Sequence, residues 1–265
     1  MHNQSPNNYM SAKDIKSLDS RSKHSNMLPF TLIITSDPDT DVMRSFIEHL
    51  SVFASNHHIR ISLHLIDSLN LFDSQPQNLK SKLKGVDFFW HKPPRNLSQV
   101  EAMDFGIQTS MIHPVLFMAP DMKDNIVDIP SFFQKAENGS EIVAAWRVSR
   151  HGVSVSRRAL TIAFNFVVRH LAGVPLHDFN TCMSLLSKNA VTSWLNAPQG
   201  CPSVSLYVLS KHKDRTAEVP ITIYEIPGKA STFTPQLRFR TGLRRIKEVI
   251  CFRVWHSSKR HGGNA

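Results

Sequence analysis

The chain has 265 residues, 41% of them apolar, and its 31 lysines and arginines against 21 acidic residues leave a net charge of +10. That is enough to bury the core of one large domain or two small ones, and too apolar for a disordered chain. A spanning helix is excluded because no run of ~18 uncharged apolar residues occurs, and Cys182, Cys201 and Cys251 match no zinc or disulfide spacing.

Residues 1–27 are polar, rich in Asn, Ser and Lys, and without periodicity, which predicts a mobile tail. They contain no apolar stretch of the kind a secretory signal needs, so the expected compartment is the cytoplasm. From Leu28 the pattern changes. Phe30–Ile34 reads as a buried strand. Asp39 or Thr40 can cap a helix with Val42, Phe46, Leu50 and Phe53 on its apolar face. Ile59–Ile66 alternates like a strand, and Val86–Trp90 is another. A helical pattern over Leu97–Ser110 carries Val100, Met103, Phe105 and Ile107. Pro114–Met118 and Glu141–Trp146 are further strands.

Strands alternating with helices argue for an α/β sheet, mostly parallel and covered on both faces. Ligands of such sheets bind at the carboxyl ends of strands. That singles out Thr35–Asp39, Ser68–Asp73, Lys92–Asn96, Ala119–Asp124 and Arg147–Arg150. Neither GxGxxG nor GxxxxGK[ST] occurs, which leaves the usual dinucleotide and P-loop readings unsupported.

Beyond these, Val155–Leu171 predicts an amphipathic helix with Leu160, Phe164, Val167 and Leu171 inside. Ser203–Val208 and Glu218–Tyr224 read as strands. From Gln236 onward eight basic residues (Arg238, Arg240, Arg244, Arg245, Lys247, Arg253, Lys259, Arg260) face a single acidic one, Glu248. This segment therefore carries seven of the chain's net ten positive charges. Leu243, Ile246, Val249, Ile250 and Val254 can share one helical face there. Such a helix can lie in a membrane interface, where each basic residue near an anionic leaflet contributes roughly 1 kcal/mol, or it can simply pack. Nothing in it resembles a base-reading motif, so no nucleic-acid partner is expected.

Seven segments, in order, carry a family resemblance. They are Arg95-Asn96 with Ala102 and Gly106; Val115-Leu-Phe-Met-Ala-Pro-Asp-Met-Lys-Asp124; Ile142-Val-Ala-Ala-Trp-Arg147 with the basic stretch to Arg157-Arg158; Gly173-Val-Pro-Leu-His-Asp178; Leu185-Leu-Ser-Lys188; Ala217-Glu-Val-Pro-Ile221; and Arg238-Phe239 with the basic helix after it. From Leu28 to Ile250 the chain resembles a family 2 glycosyltransferase of the GT-A fold. Within that family it is most similar to polyprenyl- (dolichyl-) phosphate sugar transferases. The resemblance implies a Rossmann-like, mostly parallel sheet over residues 28–235, followed by a basic amphipathic segment over 236–265. It implies an inverting transfer from a nucleotide sugar to a polyprenyl phosphate or related acceptor, by a protein peripheral to the inner membrane's cytoplasmic face.

By that resemblance, Asp121 and Lys123 are the catalytic candidates, and Asp121 is the ligand of a divalent metal (Mg or Mn). Asp37, Asp67, Arg95 and Asn96 fall on the donor side. Arg147, Arg150, Arg157, Arg158 and Asp178 fall on the acceptor-phosphate side. The chain departs from the family pattern at Ala119, where the first Asp of Asp-x-Asp is expected, at Ser98, where the first Gly of the helix start is usual, and at the shortened Ile66-Asp67-Ser68 element. Either Asp121 holds a metal together with the donor's phosphates, or the Lys123 ammonium replaces the metal's charge. Other roles stay open: Asp37 and Asp39 as helix caps, Asp67 as a turn former, Asp121 and Lys123 as a solvated pair. A second function class is a glycosyltransferase-fold protein that has lost catalysis and serves as a binding or scaffolding subunit.

Overall fold

The computed structural model describes residues 28–110, 113–151, 155–179, 181, 183–224 and 235–262. The predicted tail over 1–27 lies outside the described residues, as does Cys182. The element order is β1 (Phe30–Thr35), α1 (Thr40–His57), β2 (Ile61–Ile66), β3 (Val86–His91), α2 (Gln99–Thr109), β4 (Val115–Met118) and a 3-10 stretch (Pro120–Asp128) running into α3 (Ile129–Glu137). There follow β5 (Ile142–His151), α4 (Val155–Ala172), β6 (Met183–Leu186), α5 (Lys188–Leu195), α6 (Val204–Lys211), β7 (Thr216–Tyr224) and α7 (Pro235–Gly262).

These strands make one seven-stranded sheet in the order β3-β2-β1-β4-β6-β5-β7. All pairings are parallel except those of β6, which runs antiparallel to both β4 and β5. Residue alternation along each strand splits the core in two. Leu32 and Ile34 of β1 pack with Phe46, Leu50, Ile129 and Phe132 of α1 and α3 on one face. Ile33, Phe117, Ile142 and Leu186 pack with Ala102, Trp194 and Val208 of α2, α5 and α6 on the other. Each fully buried side chain of this size contributes about 1.5–3 kcal/mol relative to exposure. The outer strands are β3 and β7, and β7 carries Pro220 near its middle.

Local chemistry sets the boundaries. Asp39 caps α1 by accepting from the amides of Asp41 and Val42. Ser98 and Glu101 form a reciprocal capping box that starts α2. Gly106 of α2 lies directly on Ile33, where an added Cβ would come within 2.6 Å of the Ile33 side chain.

Three expectations are corrected. Ser203–Val208 is not a strand: Val204–Lys211 is helical, and the Tyr207 amide donates to the Ser203 carbonyl at 3.0 Å. A short apolar run does not reveal its period, and here Leu206 and Val208 serve two different clusters around one helix. In α4 the inward residue is Val168 rather than Val167, which is 39% exposed, because Val168 meets Leu206, Val249 and Phe252. The apolar face foreseen on α7 is split: Val249 is buried and Ile246 partly buried, while Leu243, Ile250 and Val254 are on the outside. The packed row is Val249, Phe252 and Trp255, which closes a third cluster against α4 and α6.

Candidate functional site

β1 has β2 on one side and β4 on the other, so the chain leaves it in both directions and opens a crevice at its carboxyl end. The donor-side residues expected from the sequence gather around that end, and the loops employ them. Asp67 is fully buried, its Oδ1 accepting from the Leu71 amide at 2.8 Å and its Oδ2 from the Phe72 amide at 3.0 Å. It shapes the 67–72 loop with both oxygens. The Oδ1 of Asp37 accepts from the Asp39 amide at 2.8 Å. Arg95 donates to Glu101 at 2.7 Å and to the Asn96 carbonyl at 3.1 Å, and Asn96 Oδ1 accepts from Asn70 Nδ2 at 2.8 Å. Asn70 is held at a φ of 53°, and its own Oδ1 is buried without a protein donor. The Leu97 amide bonds to the Ser68 carbonyl, and the Leu69 amide to Ser36 Oγ, tying three loops into one rim.

Beyond β4, Ala119 is partly exposed, Asp121 is exposed on the first turn of the 3-10 stretch, and Lys123 is largely buried. Lys123 Nζ donates to Asp124 Oδ1 at 2.8 Å, so its charge is partly matched within the loop. A narrow recess beside Ala119 is lined by Ile33, Thr35, Gln99, Met103, Phe117 and Ser184, among others. Its wall is mostly apolar. Divalent ions of the Mg or Mn type take several oxygen ligands. Ala119 supplies none, and among the described residues no three His, Cys, Asp or Glu side chains converge on a common point. The described residues therefore do not fit a resident metal ion.

On the acceptor side two expected residues come together. Arg147 of β5 grips Asp178 through two bonds, Nε to Oδ2 at 2.5 Å and Nη2 to Oδ1 at 2.8 Å, and Asn165 of α4 adds a third at 3.3 Å. The Asp178 side chain is only 2% exposed, so this is an interior pair that locks the 174–178 segment onto β5. Arg150 lies on β5 and Arg157 and Arg158 on the first turns of α4, with side chains outside the described residues. Next to the pair stand three residues, His177, Glu218 and Trp146, that are not among the site residues expected from sequence. His177 Nδ1 is 2.6 Å from Glu218 Oε2, and the His177 ring stacks on Trp146 with centroids 4.5 Å apart. A surface histidine shows nothing in sequence of a partner 41 positions away. The one available signal is Glu218 itself, an acidic residue inside an apolar strand.

Two other polar clusters lie away from this edge. His64 and His91 touch through their ring nitrogens at 3.1 Å and stack on each other, with Phe89 tilted against His64 and Phe105 edge-on to His91. Burial, helped by repulsion from His91, lowers the His64 pKa from 6.5 to about 4, and burial lowers that of His91 as well. At the opposite end of the sheet, Glu141 collects Ser187, Asn189 and Arg215. Burial raises the Glu141 pKa, but these bonds outweigh it and hold the carboxyl below its ordinary range.

No family model matches the chain. Among curated proteins it is similar to the dodecaprenyl-phosphate galacturonate synthase of Rhizobium johnstonii, with 27% identity over 92 residues, 34% of this chain and 27% of that protein. The match thus spans about a quarter of that relative's length. Among solved structures it is similar to glucosyl-3-phosphoglycerate synthase of Mycobacterium tuberculosis in complex with phosphoglyceric acid, at a TM-score of 0.61 and 14% identity over 92% of this chain and 84% of that one. The same enzyme with Mn2+ and uridine-diphosphate-glucose gives a TM-score of 0.60 at 12% identity, over 92% and 83%. The mixed sheet with helices on both faces is a GT-A fold, shared with the mycobacterial synthase.

Proposed function

We propose that the chain is a nucleotide-sugar-dependent glycosyltransferase, moving a sugar to a polyprenyl phosphate or a related acceptor at a membrane face. The observation that supports this best is the crevice at the carboxyl end of β1 and β4. It has exposed Asp121 on one lip, the Ser36–Asn70–Asn96 rim on the other, and an unpaired acceptor in Asn70 Oδ1. A nucleotide laid there meets backbone and amide groups at the strand ends, as ligands of open α/β sheets do. The positive charge that the departing diphosphate needs would come from Lys123 after it exchanges Asp124 for phosphate. The acceptor would sit beyond, toward Arg150, Arg157 and Arg158.

A second reading, a protein that keeps the fold and has lost catalysis, is favoured by specific observations. Ala119 stands where a carboxylate is expected, and the recess beside it is lined by uncharged residues. Calorimetric titration with uridine and guanosine diphosphate sugars, with and without Mn2+, separates the two. The transferase reading expects micromolar binding of one donor, weakened at least tenfold by Asp121→Ala, and an Mn2+ dependence that arises only in Ala119→Asp. If the intact, folded chain binds no nucleotide sugar, the non-catalytic reading stands.

A further inference from the structure

Strand register draws a line across the molecule. Ile33 pairs with Phe117, Phe117 with Ser184, Ser184 with Ala144, and Ala144 with Glu218. Residues in one such row project from the same face of the sheet. Ile33, Phe117 and Ser184 line the recess beside Ala119. Glu218 therefore projects from the same face of the sheet as the recess residues, two strands beyond Ser184 and about 10 Å from it. Trp146, two residues after Ala144, stands on that face one step nearer the carboxyl edge. The segment from His177 to Thr181, another residue of the recess wall, spans at most about 14 Å.

At the far end of this row the His177 ring is fixed twice. Glu218 Oε2 holds its Nδ1 at 2.6 Å, and the Trp146 indole covers its face at an interplanar angle of 21°. Glu218 Oε1 meanwhile accepts the amides of His177 and Asp178 at 2.8 and 3.2 Å. Those two amide bonds suffice to anchor the loop. The third, to the imidazole, sets the ring. With a carboxylate at Nδ1, the neutral ring carries its proton there and presents a lone pair on Nε2. The His177 side chain is 48% exposed while that of Glu218 is 10% exposed, so the base is open and its orienting acid is covered.

Resting on the glycosyl-transfer reading, we propose that His177, oriented by Glu218, is the base that takes the proton from the acceptor's attacking oxygen, whether that oxygen belongs to a hydroxyl or to a monoanionic phosphate. In the step, the acceptor O–H bond breaks and its proton passes to Nε2. The freed electron pair forms the bond to the anomeric carbon. The bond from that carbon to the diphosphate oxygen breaks, and its electrons leave with the nucleoside diphosphate. Glu218 balances the resulting imidazolium, which returns its proton to water.

The test uses the full chain and the donor sugar nucleotide identified by calorimetry, following nucleoside diphosphate release with a short-chain polyprenyl phosphate in detergent or with free glucose. Whichever acceptor supports release identifies the source of the oxygen. His177→Gln is expected to lower kcat about 100-fold while leaving the donor Kd within twofold. Glu218→Gln, which keeps Oε1 for the two amides, is expected to lower kcat about tenfold. It should also turn the ring to the Nε2–H tautomer, read in 15N spectra of the histidine side chains. Full turnover in His177→Gln with donor bound would overturn the proposal, and so would an Nε2–H tautomer for His177 in the unmodified protein, a result independent of turnover. Absence of donor binding to the unmodified chain would remove the transferase reading and this base with it, whereas loss of the base alone leaves donor binding intact.

Discussion

At the scale of single residues, charge in this chain goes mostly into holding loops. Asp37 and Asp67 are legible in sequence as acids just after strands, and the structure finds them there, while Asp178 lies in the segment between α4 and β6. Asp67 nevertheless gives both oxygens to backbone amides, and Asp178 gives both of its own to Arg147. Position along a strand can be read from an apolar run. Which partner a carboxylate takes depends on loop conformation, which composition does not encode.

The His64–His91 pair has a measurable consequence at this same scale. Folding holds His64 neutral with a pKa of about 4, against 6.5 for an unperturbed ring. Between those values the unfolded chain binds more protons than the folded one, so this contribution is complete above about pH 6.5 and lost as pH falls toward 4. His91 acts in the same direction. Urea midpoints at pH 7, 5.5 and 4.5 should fall, with a total cost of about 2–3 kcal/mol by pH 4. The His64→Leu variant should show a flatter dependence over that interval. An equal slope in both proteins would show that the pair does not titrate on unfolding.

At the scale of elements, period and caps served well where a helix or strand was long. Asp39 or Thr40 as cap and the apolar stripe of Val42, Phe46, Leu50 and Phe53 predict that helix and its start, which the structure places at Thr40 with Asp39 as the cap. They failed for α6, a run of eight residues whose apolar content fits either period. β6 is not legible as a strand either, since four residues carry too little pattern. Gly106 shows packing that no periodicity reveals: α2 approaches β1 so closely that only hydrogen fits over Ile33. Gly106→Ala gains up to about 1 kcal/mol of helix propensity but forces Ile33 to move in a dense core. A net destabilisation of about 1–2 kcal/mol in chemical denaturation is therefore expected.

The α4–α7 pair tests the membrane reading. The outer side of α4 exposes Ile162 and Phe166, each by 62%, and that of α7 exposes Ile250 and Val254 by 48% and 66%, with Arg244 and Lys247 among the exposed residues of α7. No helix of the described residues is long and apolar enough to cross a bilayer. Apolar residues beside cations suit adsorption to an anionic surface. Sedimentation with phosphatidylglycerol vesicles should capture the chain at low salt and release it at high salt. Combining Arg244→Glu with Lys247→Glu should weaken capture at least tenfold. Equal sedimentation with neutral phosphatidylcholine vesicles would remove the electrostatic part of this account.

At the scale of the whole molecule, alternating strands and helices were enough to predict a layered α/β fold, and the family resemblance added its GT-A class. The reversal of β6 was not legible, and it is what places Ser184 between Phe117 and Ala144. The row from Ile33 to Glu218 therefore exists only in the assembled sheet. This explains why His177, Glu218 and Trp146 have no sequence signature as a group, although each lies in a segment that carries the family resemblance.

An open sheet has two outer strands, and among the described residues they are β3 and β7. A margin of unused amides invites a second sheet to add to it. Pro220 interrupts that row on β7, because proline has no amide hydrogen to offer and sits in sheets at such borders. The residue that completes the Glu-Val-Pro stretch is thus also one that disfavours strand addition at this edge. Pro220→Val would leave the margin unbroken, and light scattering at rising concentration should show it self-associating where the parent chain stays dispersed.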